Sequence, residues 1–216
     1  MQAPSDIVRE HWPEYLMEAA GLGLFMISAA VVTALLEYPH SLLYQMLPNP
    51  FIRRALIGVA MGLTAIGIIY SPWGKRSGAH LNPAVTVTFF RLGKIQGLDA
   101  FFYVLAQFVG GLIGLLVAAM AIGMAIEHPT VNYVVTVPGL NGTGIAFAAE
   151  AGISFGLMLV VLIVSSQTKL NAWTGVFAGA LVAAYITVEA PLSGMSMNPA
   201  RSFASALPAN LWTDFW

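Results

Sequence analysis

Five long apolar stretches limit what this chain can fold into. They run roughly over residues 15–36, 55–70, 100–126, 144–166 and 173–188. A helix that crosses a bilayer needs about 20 mostly apolar residues. The second and fifth stretches are short, but their flanks can extend them. Glycine pairs at four-residue spacing recur within four of the stretches, which favours close packing of helices in lipid. The sequence therefore predicts an all-α membrane protein with five full spans.

Composition supports lipid as the solvent for this fold. Apolar residues make up 58% of the chain and charged residues 9%, whereas a soluble domain carries about 25% charged residues. Nine Lys and Arg against ten Asp and Glu exclude a nucleic-acid binder that relies on positive charge. The lack of cysteine excludes thiolate metal sites and thiol catalysis. Since no nucleophile–base pair or metal-ligand spacing occurs either, we expect neither an enzyme nor a cofactor.

Basic residues set the expected orientation in the membrane. Residues 1–14 are polar, and no small-residue cleavage site follows the first apolar stretch, so this stretch is predicted to be a retained helix rather than a signal peptide. Six Lys and Arg fall in segments predicted to lie on the same side of the membrane as the N-terminus, and three fall on the opposite side. This asymmetry predicts a cytoplasmic N-terminus, and the short polar N-terminus suits a bacterial inner membrane.

The two halves of the chain resemble each other. Residues 17–26 read MEAAGLGLFM and residues 149–158 read AEAGISFGLM, and each Glu-led span is followed later by an Asn-Pro-Ala motif. Three crossings precede the second Glu-led span, so the two repeats must be inverted relative to each other. Inverted repeats place functional sites near the midplane, on broken helices. We expect one domain over residues 1–216, with repeat one at about 14–126 and repeat two at about 144–216.

The two Asn-Pro-Ala motifs are predicted to begin short helices. Asn is a good N-cap, and Pro suits the first helical position. Helices of eight to ten residues are about 12–15 Å long, half of the ~30 Å hydrocarbon core, so two of them could meet at the midplane. Their amide donors and positive dipole ends would hold the oxygen of water or an alcohol and repel cations. The motifs are Asn82-Pro83-Ala84, expected to begin a helix over 83–90, and Asn198-Pro199-Ala200, expected to begin one over 199–206.

These motifs carry a family resemblance. SGAHLNPAVT at residues 77–86 and SGMSMNPARSF at residues 193–203 resemble the two signature loops of the aquaporin, or major intrinsic protein, family. The resemblance extends to the Glu-led repeats and to Ala106-Gln107. It implies an aquaporin-like inverted-repeat bundle with two re-entrant half-helices, a bacterial-type water channel that excludes protons and ions, and a homotetramer. It also implies a sixth span, which would begin where this sequence ends.

The resemblance further implies the residues of a selectivity filter. Arg201 matches the arginine of the family's filter. Strict water channels of the family usually carry Phe and His at two further positions, and the matching residues here are less polar and more pliable. We therefore expect a water channel that also passes small neutral solutes, with a facilitator of glycerol, ammonia or urea-like solutes as the alternative. The three remaining filter positions fall on Met61, with Gly62 as a second choice, Ile186 and Met195.

Three further residues leave alternatives open. His80 could be a hydrogen-bonded core histidine or a residue of the pore mouth. Glu18 and Glu150 could accept backbone N–H groups from the half-helix loops, or they could relay protons. The first role is favoured because the repeat duplicates it and no chain of acidic or His residues leads away.

An inverted-repeat secondary transporter would need acidic residues at the midplane, which both Asn-Pro-Ala motifs lack.

Overall fold

The computed structural model describes residues 4–215 of the chain, so the ends of the predicted 1–216 domain lie outside the described residues. The described residues form helices and loops without a strand, which confirms the all-α prediction. The α-helices are α1 (Pro4–Glu37), α2 (Leu42–Met46), α3 (Pro50–Tyr70), α4 (Pro72–Ser77), α5 (Pro83–Arg91), α6 (Gly97–Ile122), α7 (Thr143–Ser166), α8 (Thr174–Val188), α9 (Ala190–Ser193) and α10 (Pro199–Ala209).

Five of these helices, α1, α3, α6, α7 and α8, are long and apolar enough to cross a membrane. They coincide with the five predicted stretches, although four of them begin earlier, α1 and α3 by five residues or more. Helix α3 begins at Pro50 because the Asn49 side chain caps it, accepting the backbone N–H of Phe51 at 2.9 Å. Helix α1 has 34 residues, or about 51 Å of rise, so its first turns extend beyond the ~30 Å hydrocarbon core.

Close backbone contacts join the spans in two pairs. In the pair α1 and α6, a Cβ added at Gly114 would lie 2.3 Å from the carbonyl oxygen of Gly23. In the pair α3 and α8, a Cβ at Gly62 would lie 2.5 Å from the carbonyl oxygen of Gly179. These contacts agree with the close helix packing that the glycine spacing favours, although the spacing does not say which helices pair. The pattern was misleading at Gly152 on α7, where a Cβ would meet nothing within 4 Å.

The two helices that follow the Asn-Pro-Ala motifs are short. Helix α5 has nine residues and α10 has eleven, or about 14 and 17 Å. The predicted end of the second helix at Ala206 is wrong, because α10 continues through Pro208. Proline lacks a backbone N–H and its ring crowds the carbonyl four residues earlier, yet the last turn of α10 includes Pro208. The helix ends instead at Asn210, which adopts the left-handed conformation typical of a C-terminal cap.

Candidate functional site

Asn82 and Asn198 meet at the starts of α5 and α10. The Asn82 Oδ1 accepts the backbone N–H of Ala84 at 2.8 Å, and the Asn198 Oδ1 accepts those of Ala200 and Arg201 at 3.1 and 3.2 Å. Each asparagine therefore caps its own helix. The N-termini of both helices, where helix dipoles are positive, consequently lie side by side.

Each asparagine also bonds to the opposite loop. The Asn82 Nδ2 donates to the carbonyl oxygen of Met197, and the Asn198 Nδ2 donates to that of Leu81, both at 2.7 Å. The sequence predicts amide donors that hold a solute oxygen, and the structure uses one N–H of each amide for a bond between the loops instead. A side-chain amide carries two N–H donors, so one donor of each asparagine ties the two loops together and one is left over.

A fully buried carboxylate holds the first loop in place. Glu18 on α1 is 0% exposed. Its Oε1 accepts the Ser77 hydroxyl at 2.7 Å and the His80 backbone N–H at 3.0 Å. Its Oε2 accepts the Leu81 backbone N–H at 2.6 Å and the Gln107 side-chain N–H at 2.8 Å. In all four bonds Glu18 is the acceptor. Three of the donors belong to the segment that precedes α5, and the fourth is on α6.

The second loop repeats this pattern. Glu150 on α7 accepts the Ser193 hydroxyl at 2.7 Å, the Ser196 backbone N–H at 2.6 Å and the Met197 backbone N–H at 2.8 Å. The correspondence with Glu18 lacks only a counterpart of Gln107. Glu150 is also less buried, because a second cavity of about 450 Å³ opens beside it along α7 and α10.

The bonds to the two glutamates hold an unusual backbone conformation. Alternate residues of each loop have positive φ: 47° at Ala79 and 51° at Leu81, and 54° at both Met195 and Met197. Non-glycine residues adopt such angles at a cost of about 1–3 kcal/mol each. The backbone N–H groups of Leu81 and Met197 are among those that bond to the carboxylates, so the glutamates offset this cost.

A cavity of about 710 Å³ runs past both asparagines. Helix α1 lines it from Leu22 to Glu37, fifteen residues or about 22 Å of rise. Helix α3 runs the opposite way and lines it from Pro50 to Ile69, nineteen residues or about 28 Å of rise. We call the two ends of this cavity the Glu37 end and the Ile69 end. The cavity thus follows the spans for most of the ~30 Å hydrocarbon thickness.

Seven of the residues singled out in the sequence lie on the wall of this cavity: His80, Asn82, Asn198, Arg201, Met61, Ile186 and Met195. Gly62 does not lie on it, because it packs against Gly179. Ala84 and Pro199 line the second cavity, and Pro83 and Ala200 are buried. The structure therefore brings the polar groups of both motifs together with three apolar side chains on this wall, while the Pro and Ala residues of the motifs lie off it.

Arg201 and His80 have distinct surroundings on this wall. The Nη1 atom of Arg201 is buried and has no hydrogen-bond partner among residues 4–215. The Nδ1 atom of His80 lies 3.1 Å from the Thr86 hydroxyl, and its ring stacks on Phe89 with 4.9 Å between centroids. His80 thus packs as a bonded core histidine and faces the cavity as well.

The Glu37 end carries polar residues that the sequence did not single out. Glu37, Arg54 and Thr130 all line the cavity there. The Thr130 hydroxyl donates to the carbonyl oxygen of Glu37 at 2.6 Å, which ties the loop after α6 to the end of α1. In the sequence, helical spacing could have pointed to Glu37, since it lies on one face of α1 with Thr33 and Ala29.

Comparisons with known proteins agree with this architecture. The family model described as "Major intrinsic protein" matches residues 8–216. "Probable aquaporin NIP-type" of Nicotiana alata is 35% identical over 162 residues, which cover 74% of this chain and 57% of that protein. "Probable aquaporin AqpM" of Archaeoglobus fulgidus is 35% identical over 173 residues, covering 74% and 67%. "Aquaporin NIP6-1" of Arabidopsis thaliana is 38% identical over 166 residues, covering 76% and 52%.

A solved structure shares the fold. The aquaglyceroporin from Plasmodium falciparum superimposes with a TM-score of 0.77 at 19% sequence identity, covering 92% of this chain and 81% of that one. The matched segment spans between about half and two thirds of the length of the three curated relatives named above.

Proposed function

This chain belongs to the major intrinsic protein family, and on that premise we propose that it is a passive channel that conducts water in single file. It is an integral membrane protein of a family of channels, not an enzyme. The observation that carries the proposal is the 710 Å³ cavity, because it follows the spans for about 22 Å and has Asn82 and Asn198 on its wall.

The free donors of the two asparagines support the exclusion of protons. Each asparagine keeps one N–H after its bond to the opposite loop. A water molecule that accepts both of these donors must point its own hydrogens away along the cavity, so it cannot pass a proton through the centre. The two helix N-termini beside it add a positive potential that opposes H⁺ and other cations.

The side chains beside Arg201 support passage of small neutral solutes together with water. Met61, Ile186 and Met195 offer apolar surface, and Arg201 offers donors, so a solute with hydroxyl or amide groups can replace water at the wall. Methionine side chains are flexible and adapt to different shapes. We propose water as the main permeant, with glycerol, ammonia and urea-like molecules as further ones.

The hydrogen bonds of Glu18 and Glu150 disfavour a transporter that couples transport to an ion. A secondary transporter needs carboxylates that can bind an ion near the midplane. The carboxylates of Glu18 and Glu150 instead accept loop N–H and hydroxyl groups. We therefore propose that both are structural supports and that transport is passive.

The setting in the membrane also remains a proposal. We propose a homotetramer, as the family resemblance implies. We place the N-terminus in the cytoplasm because of the distribution of Lys and Arg, and we propose the bacterial inner membrane because the short polar N-terminus suits it. The Glu37 end of the cavity then faces the outside.

Proteoliposomes test the proposed function. Stopped-flow light scattering should be recorded on the full-length protein with water, glycerol and ammonia side by side. We expect osmotic shrinkage much faster than in protein-free liposomes, and measurable glycerol entry. Mercurials should not block by thiol attack, because the chain has no cysteine. Water permeability equal to that of bare lipid would refute the proposal.

A further inference from the structure

Two consecutive arginines at the start of α3 reach toward different neighbours. Arg53 is buried and contacts the Glu37 carboxylate with its Nε and Nη2 atoms, both at 3.1 Å. The Arg54 Nε donates instead to the carbonyl oxygen of Thr187 at 2.8 Å. Glu37 is the last residue of α1, and Thr187 lies in the last turn of α8. The two arginines therefore join α3 to the ends of two neighbouring helices, and Glu37 and Arg54 line the cavity there.

The two arginines differ in charge balance. Arg53 is neutralised by Glu37 and also donates to the carbonyl oxygens of Leu47 and Pro48. Arg54 has no carboxylate within 4.0 Å among residues 4–215, and its Nη atoms make no hydrogen bond there. Apart from the Nε bond to Thr187, the guanidinium lies near the Phe51 ring, with its Cζ atom 5.7 Å from the ring centroid. Arg54 is thus a half-buried, unneutralised cation on the cavity wall.

Arg54 shares this cavity with a second cation. Arg201 also lines it, and its Nη1 is buried without an acceptor among the described residues. Arg54 lies seven residues from Met61 on the lining face of α3, or about 10 Å of rise. The carboxylate on the wall of the Glu37 end is already paired with Arg53. Arg54 therefore adds one unpaired positive charge and its unused Nη donors to the Glu37 end.

We propose that Arg54 makes the Glu37 end of the cavity a binding site for small monocarboxylate anions. With Nε occupied by Thr187, the two Nη groups still present the parallel pair of donors that binds a carboxylate in a bidentate manner. An anion the size of acetate held there occupies the mouth and slows permeation. Binding of the anion does not depend on the proposed function, whereas the slowing of water flow rests on it.

Acetate and acetamide test this site, because the two molecules have nearly the same shape and only acetate is charged. Binding of 13C-labelled acetate or acetamide to the detergent-solubilised full-length protein is followed by NMR line broadening at neutral pH. Water flux is measured in proteoliposomes with either compound present at equal concentration on both sides. We expect the NMR signal of acetate to broaden in the presence of the protein and acetate to slow the water flux. Acetamide should show no broadening and should leave the water flux unchanged.

Variants separate the anion site from the structural role of Arg54. Arg54→Gln should weaken acetate binding about tenfold, equivalent to about 1.4 kcal/mol. Arg54→Lys keeps the charge but loses the pair of donors, so its binding should be intermediate. The matched control is Arg91→Gln, which removes an exposed arginine that does not line the cavity; its acetate binding should equal that of the wild type.

The outcomes are distinct. Equal broadening by acetate and acetamide, or acetate binding that is unchanged in both Arg54 variants, would overturn the proposal, as would a lack of acetate binding to the wild type. If Arg54→Gln fails to fold, the Arg54→Lys variant and the acetamide comparison still decide. If acetate binds as expected but the wild type conducts no water, the anion site stands and the proposed function fails.

Discussion

At the scale of single residues, Glu18 shows how one side chain can fix a loop. Its four donors are the Ser77 hydroxyl, two loop N–H groups and the Gln107 amide. In Glu18→Gln, an NH2 group would face donors in place of an acceptor oxygen. Since a buried donor without a partner is costly, we expect a loss of roughly 3 kcal/mol of stability, measured as a lower midpoint of thermal unfolding in detergent.

Glu127→Gln is the control for that prediction. Glu127 is exposed, and its bond from the Tyr133 hydroxyl is long, at 3.3 Å. Its replacement should change stability by about 0.5 kcal/mol or less. Equal unfolding midpoints for Glu18→Gln and the wild type would show that the buried carboxylate does not hold the loop.

The apolar side chain of Ile186 makes a second prediction at this scale. Ile186 lies on the cavity wall with Arg201, so Ile186→His adds polar surface where a solute presents its carbon skeleton. We expect glycerol permeability to fall by about tenfold or more, since poor fit of a small group costs 1–3 kcal/mol, while water permeability changes much less. Parallel stopped-flow measurements check this, and an equal loss for both permeants would contradict the assignment of Ile186 to the filter.

The sequence could predict the caps at Asn82 and Asn198, because capping depends on residues next to each other in the chain. It could not predict that each amide also donates to the opposite loop, to Met197 or to Leu81. These acceptors lie more than a hundred residues away, and they face the amides only because the loops adopt positive φ angles. The same limitation hid Arg54, whose acceptor Thr187 lies on another helix.

At the scale of helices, the contact between α1 and α6 depends on glycine. A Cβ at Gly114 would lie 2.3 Å from the carbonyl oxygen of Gly23, so Gly114→Ala must push the two backbones apart. We expect a destabilisation of about 1–3 kcal/mol. Thermal unfolding of the detergent-solubilised protein measures it.

Gly67→Ala in α3 is the matched control, because a Cβ there would meet nothing within 4 Å of the described structure. Alanine is a better helix former than glycine by about 0.5–1 kcal/mol, so this variant should be as stable as the wild type or slightly more stable. Similar losses in both variants would indicate that helix propensity, and not close packing, decides the result.

The elements differ in how far the sequence could predict them. The five spans could be predicted because length and apolarity alone identify them. Their starts were less certain, since the caps at Asn49 and the extension of α1 to Pro4 involve polar residues outside the apolar stretches. The short helices α2, α4 and α9 have no apolar periodicity of their own, and α2 and α4 begin at caps from the Ser41 and Ser71 side chains.

At the scale of the whole molecule, the topology can be tested by labelling single cysteines, since the chain contains none of its own. Leu140 in the loop before α7 is fully exposed, and Lys94 after α5 is exposed as well. With a cytoplasmic N-terminus, a membrane-impermeant maleimide should label Leu140→Cys from outside intact cells and Lys94→Cys only after lysis. The reverse pattern would show that the chain is inserted the other way round.

The repeats made the general plan predictable, because two Glu-led spans and two Asn-Pro-Ala motifs had to face each other from opposite sides. The cavity was not predictable in the same way. The cavity depends on how far apart the lining faces of α1, α3 and α8 lie, and the sequence does not specify the distances between these helices. The sixth span implied by the family resemblance stays a prediction, since the described residues end at 215.

The central claim is that one continuous passage carries water past Asn82 and Asn198 but does not carry protons. Proteoliposomes of the full-length protein, loaded with a pH-sensitive dye and shrunk osmotically at several temperatures, measure both in one sample. We expect rapid shrinkage with weak temperature dependence, and a proton flux equal to that of protein-free liposomes. Shrinkage at the rate of bare lipid, or a proton flux that rises together with the water flux, would contradict it.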